Sequence, residues 1–311
     1  MRMAGRGFFH SYFYGKSSQK DFTEADLPKT RIQLFFEVFK VRRGSMVGLN
    51  LLYLLIWLPA IAWTFINLVQ LNFILIENDV VTIEMLGGLI YSYLLVMFPL
   101  VAITGPFTAG ASYVMRNWAR DEHSFVWSDF KYGIKQNWKQ ALAYSVIDGI
   151  LPLIAYFCIY FYSGMAAGSA LFYLPVAIIL IVFVLWSLMK TAIPPMIVSY
   201  ELKFSQIIKN SLLITMAALP KAILAKLLTL IVPILMLIVM SAFPAALSWV
   251  SAVAFALYAI ILLSFNKLII ASYTNAAFEK YINPMIEGAQ VDIGLQSRRS
   301  AREDTKNEEN A

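Results

Sequence analysis

Asp148 and Lys190 are ionisable side chains of opposite sign that flank an apolar run, residues 149–189, carrying no Asp, Glu, Lys or Arg. Charge at membrane depth is costly, so such residues face a partner, a cavity or the interface. Helical spans over Ala141–Tyr162 and Leu171–Ile197 would place both groups about 10 Å inside the same interface. The expectation is an intramembrane Asp148–Lys190 ion pair. The alternative is that Lys190 snorkels to the headgroups alone while Asp148 faces water or a helix N-terminus. Asn50, Asn266 and Lys267 fall in the inner halves of their spans. With the pair they would line a shallow polar vestibule, although Lys226 and Lys267 can also simply reach the headgroups.

The most polar stretch runs Arg116-Asn117-Trp118-Ala119-Arg120-Asp121-Glu122-His123 and continues through Trp127-Ser128-Asp129-Phe130-Lys131 to Asn137-Trp138-Lys139. Arg116, Trp118, Arg120, Asp121, Glu122, Trp127, Asp129 and Trp138 read as a cytoplasmic docking surface for a soluble partner. The competing reading seats the tryptophans in the headgroup layer. No second His completes a metal pattern such as His-Glu-x-x-His, and no P-loop, dinucleotide or nucleophile-elbow motif occurs. No enzyme, cofactor or metal is expected. Cys158 stands alone, which excludes an intramolecular disulfide.

These groups must be positioned by membrane helices. The chain is 59% hydrophobic and 14% charged, with mean hydropathy +0.67, far from the composition of soluble domains. Residues 44–76, 85–115 and 227–266 also lack Asp, Glu, Lys and Arg. A spanning helix needs about 20 apolar residues, and the runs accommodate six: Met46–Leu71, Leu86–Tyr113, Ala141–Tyr162, Leu171–Ile197, Ala222–Ala242 and Leu247–Tyr273. Barrel strands would alternate in polarity, and these do not. The fold class is all-α, a polytopic transmembrane helical bundle.

All 25 Lys and Arg residues fall between Arg2 and Arg43, Arg116 and Lys139, Lys190 and Lys226, or Lys267 and Lys306. These segments can share one side of a membrane, and the positive-inside rule makes that side cytoplasmic. Both termini and loops 114–140 and 198–221 are expected there, in a bacterial inner membrane. The first span reads as an internal anchor, because no apolar core follows the N-terminus closely enough for a signal peptide. The net charge of +6, spread over four juxtamembrane segments, suits anionic lipid rather than nucleic acid. Residues 1–45 form a cytoplasmic arm with an interfacial amphipathic helix starting at Thr30. Residues 46–275 form the membrane domain. Residues 276–311 are polar and are expected to be disordered. The arm's aromatic run Phe8–Tyr14 suits headgroups or packing on the loops.

A pattern of Phe, three residues, an apolar residue and Lys precedes each outward span, at Phe35–Lys40, Phe130–Lys135 and Phe204–Lys209. Each following span contains a proline: Pro59, Pro152, Pro233. The expected unit is an interfacial helix plus two spans, repeated threefold. Thr104–Gly110 and Thr191–Pro195 carry the small residues and prolines of close contacts and kinks.

Leu49-Asn50-Leu51-Leu52-Tyr53, Trp57-Leu58-Pro59, Thr104–Gly110, Arg116–Glu122, Trp127–Phe130 and Lys135–Lys139 together resemble the YesL-like family of bacterial membrane proteins. The resemblance covers the first half by motif and the second by helix pattern. It implies a polytopic inner-membrane protein, often encoded near sugar ABC-transporter components, and supplies no catalytic or ligand residues. The expected function is an auxiliary or regulatory component beside carbohydrate uptake, with transporter components as partners. The alternative is a small-solute transporter or permease subunit.

Overall fold

The computed structural model describes residues 27–78, 80–166, 168–242 and 247–296. The aromatic run Phe8–Tyr14 and the tail 297–311 lie outside them. The described residues form helices and connecting turns, with no strand. In chain order the α-helices are α1 Arg31–Val41, α2 Arg43–Glu77, α3 Ile83–Ala119, α4 Val126–Ala166, α5 Tyr173–Met189, α6 Ile193–Ser199, α7 Phe204–Ala217, α8 Leu219–Ala242, α9 Leu247–Leu257 and α10 Leu263–Tyr281. A π-helical turn, Tyr258–Leu262, joins α9 to α10. Among the described residues, six segments are long and apolar enough to cross a membrane, as the hydropathy runs predict. The first, third and sixth candidate spans are Arg43–Leu71, Val126–Ala166 and Ala252–Met285.

α1 begins where its sequence says it should. Thr30 accepts from the Gln33 N–H, and the Gln33 side chain accepts from the Thr30 N–H, closing a capping box. Leu34 and Val38 are buried. Phe35 and Phe39 meet Phe265 of α10 edge to face, at 5.7 and 5.3 Å between ring centres. The short helix is thereby fixed to the last span as well as presenting Ile32 and Phe36 outward.

The protein interior sits at the cation-rich end. One cluster joins Met46, Leu49 and Tyr53 of α2 to Val114, Met115 and Trp118 of α3 and Leu268 of α10. A second joins Tyr144 to Ile193, Met196, Ile207 and Phe278. Towards the opposite end, Phe65, Leu68, Ile154, Phe161, Ile181 and Ile238 are exposed, as lipid-facing side chains should be.

α3 and α4 form the most extensive helix pair, and glycines set their separation. A Cβ at Gly110 would stand 2.6 Å from the Phe130 carbonyl oxygen, and one at Gly133 2.7 Å from the Tyr113 Cβ. Only glycine admits such backbone contact, the small-residue mode of membrane helix packing. Pro106 cannot donate to the Ala102 carbonyl, and Ser145 of α4 donates to that oxygen instead at 2.6 Å.

Four expectations change. Segment 114–140 is no loop: α3 runs to Ala119 and α4 starts at Val126, so only residues 120–125 turn. The helical ends are retained because Val114, Met115 and Trp118 of α3 are buried in the first cluster and Gly133 of α4 packs against Tyr113. The fourth span is not continuous to Ile197 but breaks over Lys190–Ala192. Pro194 and Pro195 cannot donate to the carbonyls of Lys190 and Thr191, and the chain turns through bonds from Thr191 N to Leu188 O and Ala192 N to Met189 O. Of the tail 276–311, expected to be disordered, residues 276–281 continue α10 with Ala277 and Phe278 buried, and segment 285–296 folds back. Gln296 N donates to Pro28 O, Leu295 packs on the first cluster, and Arg31 pairs with Glu279 and Asp292. Composition misses this because a few anchoring contacts suffice where hydropathy is low. Finally, separate short helices precede the spans of α2 and α8, whereas the one expected at Phe130–Lys135 is fused into α4. Threefold repetition therefore stays an expectation of the sequence.

Candidate functional site

The cation-rich half encloses a cavity of about 190 Å³. Tyr53 and Trp57 reach it from α2, Thr104 and Thr108 from α3, and Tyr144 and Asp148 from α4. The break after α5 contributes Lys190 and Thr191, α6 contributes Pro194 and Pro195, α8 contributes Lys226, and α10 contributes Lys267. The irregular backbone thus lies against a polar cavity, where membrane proteins tolerate it.

Lys190 Nζ stands 2.8 Å from Asp148 Oδ1. The same oxygen accepts from Trp186 Nε1 at 3.1 Å. The Asp148 side chain is 13% exposed and that of Lys190 36%, so the carboxylate is the more sequestered member. The helix break determines this geometry: ending α5 at Met189 turns Lys190 across towards α4.

Lys267 Nζ lies 4.4 Å from the centre of the Tyr53 ring, a cation–π distance. Thr108 Oγ1 donates to the Thr104 carbonyl and therefore accepts the Tyr53 hydroxyl proton, at 2.7 Å. Neither Lys226 nor Lys267 has a carboxylate within ion-pair distance among the described residues. The buried indole N–H of Trp57 has no hydrogen-bond acceptor among the described residues.

Of the three residues expected to form the vestibule, only Lys267 lines this cavity. Asn50 is fully buried and binds backbone: its amide donates to the carbonyls of Tyr258 and Ala259, both at 2.8 Å, and its oxygen accepts from Ser264 N at 3.0 Å. These are groups that the π-helical turn takes out of regular α-helical pairing. Asn266 donates to Thr229 O at 3.3 Å, the carbonyl that Pro233 cannot serve. Both amides repair helix defects. Lys226, Trp57 and the α3 threonines also line the cavity, although the expected vestibule did not include them. Trp57, Thr104 and Thr108 stand two positions from Pro59 or Pro106, and Lys226 precedes an apolar run, patterns too common to single them out.

The expected docking surface divides. Trp118 is fully buried and Arg116 is tied inward, donating to Val198 O at 2.8 Å and to the Asn117 side chain at 2.9 and 3.2 Å. Neither is free to meet a partner, because the helical extension of α3 turns them into the bundle. Asp129 caps its helix by accepting from Phe125 N and Ser124 Oγ at 3.0 and 2.6 Å. Arg120 pairs with Glu122 at 3.1 Å. Asp121 sits at φ 55° with Arg42 at 3.9 Å; burial raises its pKa above the ordinary carboxylate value, opposed by the nearby guanidinium. Trp127 and Trp138 are exposed, each with a lysine over its ring.

Among the described residues, no group of three His, Cys, Asp or Glu side chains is placed to hold a metal ion. No curated protein or solved structure matches the chain. Residues 46–159, which carry α2, α3 and most of α4, match the family described as "Protein of unknown function, DUF624".

Proposed function

We propose that this protein is an auxiliary or regulatory membrane component that acts beside a carbohydrate uptake system, without enzymatic activity of its own. The carrying observation is that its polar cavity gathers Lys190, Lys226 and Lys267 around Asp148 towards the cation-rich ends of the helices. A cavity of that kind suits recognition and response at one face better than passage across the bilayer. Exposed Trp127 and Trp138 on the α3–α4 hairpin, with Asp121 at its turn, offer a partner an aromatic and charged footing beside that cavity. The YesL-like resemblance overlaps the matched segment 46–159 and supplies the link to sugar transporters. In this reading the protein lies in a bacterial inner membrane with the cation-rich end and both termini in the cytoplasm.

The test is copurification from native membranes in mild detergent. Transporter subunits should accompany the wild-type chain and be lost with Trp127→Ala/Trp138→Ala. Recovery of the chain with no transporter subunit would sink the reading.

The break at Lys190–Ala192 favours a second reading, a small-solute transporter, because discontinuous helices form substrate sites in such proteins. Solute uptake into proteoliposomes containing only this chain, abolished by Lys190→Met, would select it over the first.

A further inference from the structure

We propose that the cavity binds a phosphoryl group. Lys190, Lys226, Lys267 and Asp148 are its basic and acidic lining residues, three lysines against one aspartate. Asp148 is occupied by Lys190 and Trp186, and Lys267 is held over the Tyr53 ring, which leaves its N–H groups free to donate. The formal excess is +2 in a space walled by helices. Like charges at that depth repel strongly unless an anion compensates them. A phosphate monoester carries on the order of −1.5 to −2 at neutral pH, which matches the excess. Lysine ammonium groups bind phosphate as point charges, and a single carboxylate would compensate only half of that excess. This inference does not depend on the identity of any protein partner.

The phosphoryl group can belong to a soluble molecule or to a phospholipid headgroup, and two measurements distinguish them. Full-length protein, delipidated in a phosphate-free maltoside detergent, is titrated calorimetrically with inorganic phosphate. In parallel, protein taken directly from membranes is examined by native mass spectrometry for retained phospholipid. Saturable phosphate binding, weakened about tenfold or more by Lys226→Met and by Lys267→Met, identifies a soluble phosphate site. One retained phospholipid, present in wild type and lost in both variants, identifies a headgroup site. Should one variant fail to fold, the other decides alone. Absence of both signals, their persistence in the folded variants, or equally tight binding of chloride overturns the proposal.

Discussion

Asn50 and Ser264 are joined across 3.0 Å, the Asn50 oxygen accepting the Ser264 backbone N–H while its amide serves Tyr258 and Ala259. One side chain on the first span thus satisfies three backbone groups around the π-helical turn of the last. Ser145 does the same for Ala102, and Asn266 for Thr229. These three defects are each answered from a neighbouring helix, because lipid supplies no alternative partner.

Asn50→Leu should therefore destabilise the protein by about 2 kcal/mol, and Asn266→Leu by about 1 kcal/mol, given the modest worth of single interhelical bonds in membranes. Thermal unfolding in detergent measures both. Equal effects would contradict the difference of three bonds against one.

Gly110→Leu should separate α3 from α4 and cost about 3 kcal/mol or prevent folding, since the added side chain would collide with the Phe130 carbonyl as well as the Phe130 and Ile134 side chains. Gly48→Ala, where a Cβ meets nothing within 4 Å, should be neutral or slightly stabilising through helix propensity. A comparison of folded yields and melting temperatures checks the pair.

Asp148→Asn should lower stability more than Lys190→Met. Losing the carboxylate leaves three lysines around one cavity, whereas losing Lys190 leaves Asp148 with Trp186 and two remaining cations nearby. The double variant should show coupling of about 1 kcal/mol, reduced from a fully buried pair by the exposure of Lys190. Strict additivity in the cycle would show that the two groups do not act together.

Burial raises the pKa of Asp121 above the unfolded value of about 3.9. The folded state then binds more protons between those two pKa values, so stability falls as pH rises through that interval and is regained on acidification. Asp121→Asn, which tolerates the positive φ, should remove this slope and raise the melting temperature at neutral pH. An unchanged pH profile between pH 4 and 7 would refute it.

Much of this was readable from residues alone. Six apolar runs, Thr30 before an amphipathic segment and prolines at known positions specify helices, a cap and kinks, because each follows from local periodicity and backbone chemistry. So does the similar depth of Asp148 and Lys190, which needs only the helical rise. The tertiary structure alone decided which groups meet. Asn50 finds its carbonyls more than 200 positions away, Trp118 turns inward rather than to solvent, and Lys226 and Lys267 come from different spans to one cavity. Hydropathy records how polar a residue is, but not whether a neighbouring helix has a proline, a π-helical turn or a glycine facing it. Those contacts depend on rotation and separation of packed helices, and here glycines and helix breaks set both.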